Sequence, residues 1–198
     1  MLKTRFGIEI EFTGITRNEA VQVAADYLGG TIIHTGDYYD TKEVTTPDGG
    51  VWKIMKDSSI FCQKKLGRQK VVTNGNYSVE LVSPILTYRE DIKTLQELVR
   101  KLRKAGAFTN SSCAIHIHLD GTNHTARSIR NFINIIASKN DLFYKALQIE
   151  PERMRYCKKM DEILVNKINL KKPKTLEQIE NLWYEGYKVF GFLRLILF

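Results

Sequence analysis

The chain has 198 residues, 43% hydrophobic and 10% aromatic, with only four prolines, a composition that suits one globular domain and excludes a disordered chain. Its net charge of +8 favours anionic partners such as nucleotides or acidic peptides, although a lysine-rich solvated surface gives the same balance. Three scattered cysteines (Cys62, Cys113 and Cys157) form no CxxC pair, which argues against a zinc ribbon or a disulfide framework and for a reducing compartment.

The opening run MLKTRFGIEIEF lacks a charged segment followed by an apolar one, so no signal peptide is expected. No stretch is long enough to span a bilayer, and a cytoplasmic location without a membrane partner is expected. Arg5 to Phe12 alternates strictly and predicts a strand, with Phe6, Ile8, Ile10 and Phe12 on one face and Gly7, Glu9 and Glu11 on the other. Thr16-Arg17-Asn18-Glu19 reads as a capping box opening a helix through Ala20, Val21, Ala24 and Leu28, stopped by Gly29-Gly30.

Short β-like runs follow between Thr31 and Phe61, with Asp48-Gly49-Gly50 as a turn. Lys64 to Arg68 reads as a basic loop, and Val71–Thr73 and Tyr77–Val82 as strands. Thr87 to Glu90 suggests a second capping box before a helix through Ile92, Leu95, Leu98, Val99 and Leu102, ended by Gly106. Ala114 to Leu119 predicts another strand, with Ile115, Ile117 and Leu119 facing the core. The remainder looks helical, through Ile129, Phe132, Ile133 and Ile136 and again from a third capping box at Thr175 to Gln178. Strands thus dominate the first half and helices the second, the pattern of an α+β fold with a largely antiparallel sheet.

Several polar residues fall on the faces opposite these apolar stripes. Residues two apart on a strand lie about 7 Å apart on one side, so Glu9 and Glu11 would repel unless a cation sits beside them. Magnesium is the natural counter-charge for hard oxygen ligands, although an amphipathic strand with a solvated face shows the same alternation. His116 and His118 repeat the pattern beside Ala114 and Asp120; such a pair can bind a metal, zinc included, touch phosphate, or simply be surface histidines. Glu80 faces away from Tyr77, Val79 and Leu81. Trp52 and Asp57-Ser58-Ser59 read as a pocket wall or, more plainly, as a core tryptophan and an Asx-type turn. If the three strands are neighbours, Glu9, Glu11, Glu80, His116 and His118 converge on one surface, a carboxylate-rich set suited to magnesium or manganese holding ATP phosphates.

Four segments in order carry a resemblance: Arg5-Phe6-Gly7-Ile8-Glu9-Ile10-Glu11-Phe12; Trp52 with Asp57-Ser58-Ser59; Val79-Glu80-Leu81-Val82-Ser83-Pro84; and Cys113-Ala114-Ile115-His116-Ile117-His118. Together they resemble the amidoligase family, whose catalytic sheet is similar to those of glutamine synthetase and glutamate–cysteine ligase. The resemblance implies a single domain over 1–198: a curved, glutamine-synthetase-like catalytic sheet over 1–122, with helices on its outer face, and a mostly helical part over 123–198. It implies an ATP- and Mg2+-dependent (or Mn2+-dependent) carboxylate–amine ligase working through an acyl phosphate, with an amino-acid or peptide carboxylate and an amine as substrates. Glu9, Glu11, Glu80 and His116 would be catalytic and metal ligands; Asp57, Ser59 and His118 would lie against nucleotide, phosphate or substrate. Arg68 or Lys70 could steer anionic substrates.

The family's later Thr-x-Glu-Phe-Arg strand has no counterpart here, and Arg194 lacks the preceding glutamate. The expectation is therefore a chain truncated relative to the family, or one completed by a second chain or a homo-oligomer. Two rival functions remain: a metal-dependent hydrolase of phosphoesterase type using the same Glu and His cluster, and a basic, non-catalytic binding module. The latter is weakened because the basic residues do not interleave with aromatics as nucleic-acid-binding motifs require.

Overall fold

The computed structural model describes residues 4–149 and 151–185; the apolar run Phe190–Phe198, with Arg194, lies outside them. The chain divides into two compact units, one ending at Asp120 and one beginning at Gly121.

The first unit is a seven-stranded sheet carrying two helices. In chain order its elements are β1 (Arg5–Phe12), α1 (Arg17–Leu28), β2 (Thr31–His34), β3 (Lys42–Thr45) and β4 (Val51–Met55). There follow the hairpin strands β5 (Gln63–Leu66) and β6 (Gln69–Val72), then β7 (Val79–Val82), β8 (Leu86–Thr87), α2 (Tyr88–Lys104) and β9 (Ile115–Leu119). The main sheet runs β2-β3-β4-β7-β1-β8, with β9 also paired to β1, and every pairing is antiparallel. Ile10 pairs with Leu81 of β7 and with Ile115 of β9, so β1 lies between those two strands. The α+β class and the antiparallel sheet expected from the sequence are both present.

Alternation explains which face is buried. Val44, Ile54, Val79 and Leu81 are fully buried, together with Trp52 and Phe12, against Ala20, Val21 and Ala24 of α1 and Leu95, Leu98 and Leu102 of α2. Each such side chain contributes about 1.5–3 kcal/mol of hydrophobic stabilisation. Trp52 is thus a core residue, and both helices lie on the face away from Glu9, Glu11 and Glu80. The α1 capping box is formed as expected, and Gly29 closes the helix in the left-handed conformation.

Three local expectations are corrected. Lys64 to Arg68 is not a loop: it is the heart of the β5–β6 hairpin, turning at Gly67 with φ 62°. That hairpin is polar on both faces, so it lacks the alternation that betrays a strand. Thr87 is the N-cap of α2, but its side chain makes no capping bond; the Asp91 carboxylate accepts from the Thr87 N–H instead, at 2.6 Å. On β9 only Ile117 packs on the core, while Ile115 and Leu119 are exposed. The helices of this unit pack chiefly against β2, β3, β4 and β8.

The second unit holds α3 (Ala126–Ala146), α4 (Glu162–Lys171) and α5 (Leu176–Glu185). Ile133, Leu164, Ile168 and Leu182 form its core, and the Asn134 and Asn169 amides exchange hydrogen bonds between α3 and α4. At α5, Thr175 Oγ1 accepts from the Gln178 N–H, while the Gln178 side chain accepts from Lys174 rather than from Thr175. Among the described residues no helix is long and apolar enough to cross a membrane.

Candidate metal centre on the polar face of the sheet

Register brings the candidate residues together. Glu11 stands directly across from Glu80 on β7, Glu9 across from His116 on β9, and Gly7 across from His118. The three strands are neighbours, so all five side chains share the face opposite the core. Asp57 joins them by the same parity. Met55 pairs with Glu80, and Lys53, Met55 and Asp57 follow one another at steps of two, the last just beyond the end of β4.

The carboxylates of Glu11, Asp57 and Glu80 each bring an oxygen within 4.8 Å of the other two. Glu11 is buried and doubly tied to Ala114, the residue just before β9: its backbone N–H donates to the Ala114 carbonyl at 3.0 Å, and its Oε2 accepts from the Ala114 N–H at 2.7 Å. Its Oε1 faces His116 Nε2 at 3.3 Å. Ser78 Oγ accepts from the Asp57 N–H at 3.0 Å and donates to the Asp57 carbonyl. The Asp57 side chain in turn accepts from the Ser59 N–H at 2.6 Å, closing the expected Asx turn. Ser59 therefore enters through its backbone and is itself exposed.

Glu9 lies between the two imidazoles, with Oε2 at 3.8 Å from His116 Nδ1 and Oε1 at 3.2 Å from His118 Nε2. His116 Nδ1 is buried and makes no hydrogen bond, whereas His118 is exposed. The electrostatics follow from this crowding. Burial, followed by the charges of Glu9, Asp57 and Glu11, pushes the Glu80 carboxyl up to about 7, with His116 opposing. The hydrogen bond to Glu11 raises the His116 pKa above its usual value against the effect of burial, and the charges of Glu11, Glu9 and Glu80 add to the rise. The surrounding carboxylates thus favour the protonated form of His116.

The sequence grouped Glu9, Glu11, Glu80 and His116 as ligands and set Asp57 with the nucleotide. Among the described residues the carboxylate triad whose oxygens converge is Glu11, Asp57 and Glu80. Arg68 and Lys70 lie on the β5–β6 hairpin, which hangs from the end of β1: Thr13 Oγ1 and the Gly14 N–H both donate to the Gln63 carbonyl. Lys65 and Lys70, paired across that hairpin, both lie over the Phe108 ring, at 5.5 and 4.6 Å from its centroid.

No curated protein and no solved structure matches the chain. A family model does, over residues 2–191, nearly the whole chain and all four motifs, and the chain therefore belongs to the family described as "Putative amidoligase enzyme".

Proposed function

We propose that the chain is a carboxylate–amine ligase that uses ATP with Mg2+ or Mn2+, activates a carboxylate as an acyl phosphate, and builds its site on a sheet of the glutamine-synthetase type. The observation that carries this reading is the convergence of Glu11, Asp57 and Glu80 on the polar face of the sheet, in a member of an amidoligase family. The donor set fits a hard divalent cation: three carboxylates whose mutual repulsion needs a counter-charge, beside a buried imidazole nitrogen that has no hydrogen-bond partner. Glu11, Asp57 and Glu80 would hold the metal, with Glu9 and His116 beside them. Bound there, it would neutralise the charge of the ATP phosphates during transfer.

The chain's own groups have separable tasks. The Ala114 N–H fixes the rotamer of Glu11, and Ser78 fixes the backbone of Asp57, so both carboxylates are pre-positioned. His116 stands between Glu9 and Glu11, with Nδ1 3.8 Å from Glu9 and Nε2 3.3 Å from Glu11, and orients toward the cluster the ring nitrogen that has no hydrogen-bond partner. His118, exposed at the edge of the cluster, is the group for a phosphate oxygen. The carboxylate substrate would be that of an amino acid or peptide.

The test is phosphate release by the full chain with Mg-ATP and panels of amino-acid carboxylates and amines. The proposal expects release only when ATP, metal, carboxylate and amine are all present. Hydrolysis of phosphoesters without ATP or amine would replace it with the hydrolase reading. Steeply salt-dependent nucleic-acid binding unaffected by Glu9→Gln and Glu11→Gln would replace it with a binding module.

A further inference from the structure

A second polar concavity lies in the first unit, between the N-terminus of α1 and β3. It has a volume of about 340 Å³, and Thr16, Arg17, Asn18, His34, Asp40, Lys42 and Asn76 line it. That size is within the range of small-molecule sites. Two of its walls are buried cations: the side chains of Arg17 and Lys42 are only 7% and 3% exposed. We propose that this cavity is a binding subsite for a small oxyanion, the carboxylate or phosphate group of a ligand.

The charge count supports it. Arg17 Nε and Lys42 Nζ meet the same carboxylate, at 2.7 Å from Asp40 Oδ2 and 2.7 Å from Asp40 Oδ1 respectively. The other bonds of the Arg17 guanidinium go to neutral acceptors, the carbonyls of Gly75 and Ser78. Two buried cations thus share one half-exposed carboxylate. Buried charge is costly unless an opposite charge answers it. The dominance of the cations is visible on Asp40: burial raises its carboxyl pKa, yet the hydrogen bonds from Lys42 and Arg17 hold it below the usual range.

The helix adds to this field. α1 is 12 residues long, and its Thr16 side chain accepts from the Glu19 N–H, which leaves the first two helical N–H groups, those of Arg17 and Asn18, without an intrahelical acceptor. Both residues line the cavity. The Glu19 carboxylate is engaged by the Thr16 N–H and hydroxyl at 2.7 and 2.8 Å. The subsite is joined to the carboxylate cluster through one residue, since Ser78 accepts from Arg17 with its carbonyl and from the Asp57 N–H with its hydroxyl. The proposal stands on the cavity alone and does not require the ligase reading.

The experiment is an amide-resolved NMR titration of the full chain in EDTA with sodium phosphate and, separately, with glutarate, each against sodium chloride of equal ionic strength. The expected result is saturable shifts at the Arg17 and Asn18 amides and the Asn76 side chain, with at least tenfold weaker binding in Lys42→Met. Tighter saturation by phosphate assigns a phosphoryl ligand, and tighter saturation by glutarate assigns a carboxylate. Shifts no different from chloride with both anions overturn the proposal, as do saturable shifts that map to the hairpin at Lys64–Lys70. The wild-type map decides the matter even if Lys42→Met does not fold.

Discussion

Replacing Glu80 by glutamine should have opposite effects with and without a divalent metal. Without metal, Glu80 is the carboxylate that suffers most from burial and from Glu9, Asp57 and Glu11, which raise its pKa from 4.5 to about 7. A raised carboxyl pKa means that the folded state holds the proton more tightly than the unfolded one. The associated stability is complete below pH 4.5 and lost as pH rises through 7. The difference corresponds to about 3.5 kcal/mol at most, at about 1.4 kcal/mol per pKa unit, and solvent screening at this partly open site reduces it to roughly 1–2 kcal/mol. Glu80→Gln removes the ionisation, so in EDTA at pH 8 the variant should be more stable than the parent. The gain should be about 2–6 °C in the melting temperature of the first unit, followed through Trp52. At pH 4.5 the two should melt together. With saturating Mn2+ the order should invert, because the parent gains binding energy that the variant lacks. A variant less stable than the parent at pH 8 in EDTA would refute the picture of a strained carboxylate cluster.

Other outcomes follow from the same geometry. His116→Gln should destabilise the metal-free protein most below pH 6.5, where the raised pKa keeps the imidazolium among Glu9, Glu11 and Glu80, and the effect should fade as pH rises through the His116 pKa; denaturant titrations at pH 6 and 9 check it. Arg17→Met should cost about 3 kcal/mol, measured by urea unfolding, since it strands the carbonyls of Gly75 and Ser78 and half of Asp40's pairing. Gly14→Ala should cost at least ~2 kcal/mol: its φ is +98°, and a Cβ would sit 2.4 Å from the Gly106 carbonyl oxygen and 2.5 Å from Phe108 Cδ1. Leu81→Ala, at a fully buried position in the central strand, should cost about 2–5 kcal/mol without altering metal stoichiometry.

Alternation made β1, β7 and β9 legible in the sequence, because each has one apolar and one polar face and the period of two leaves little choice. It therefore placed Glu9, Glu11, Glu80, His116 and His118 on common faces before their strands were known to be neighbours. Asp57 was harder, since it lies past the last paired residue of β4, where only the register of Met55 with Glu80 shows which way it points. Val71–Thr73 reads as a strand and falls largely on β6, but β5 was hidden for a related reason: with lysines on both faces, the hairpin offers no stripe to detect. The burial of Arg17 and Lys42 had no sequence signal, because cations are ordinarily exposed and only the fold brings Asp40 between them. The exposed Ile115 and Leu119 mark the converse limit: alternation predicts a face but not whether anything packs on it.

The most direct test of the central claim is Mn2+ binding to the full chain, followed by titration calorimetry with parallel Glu11→Gln, Asp57→Asn and Glu80→Gln variants. The account predicts saturable binding that tightens as pH rises through about 7, where Glu80 loses its proton, and that weakens at least tenfold in each variant. Binding that is absent in the parent, or that survives all three substitutions, would contradict it.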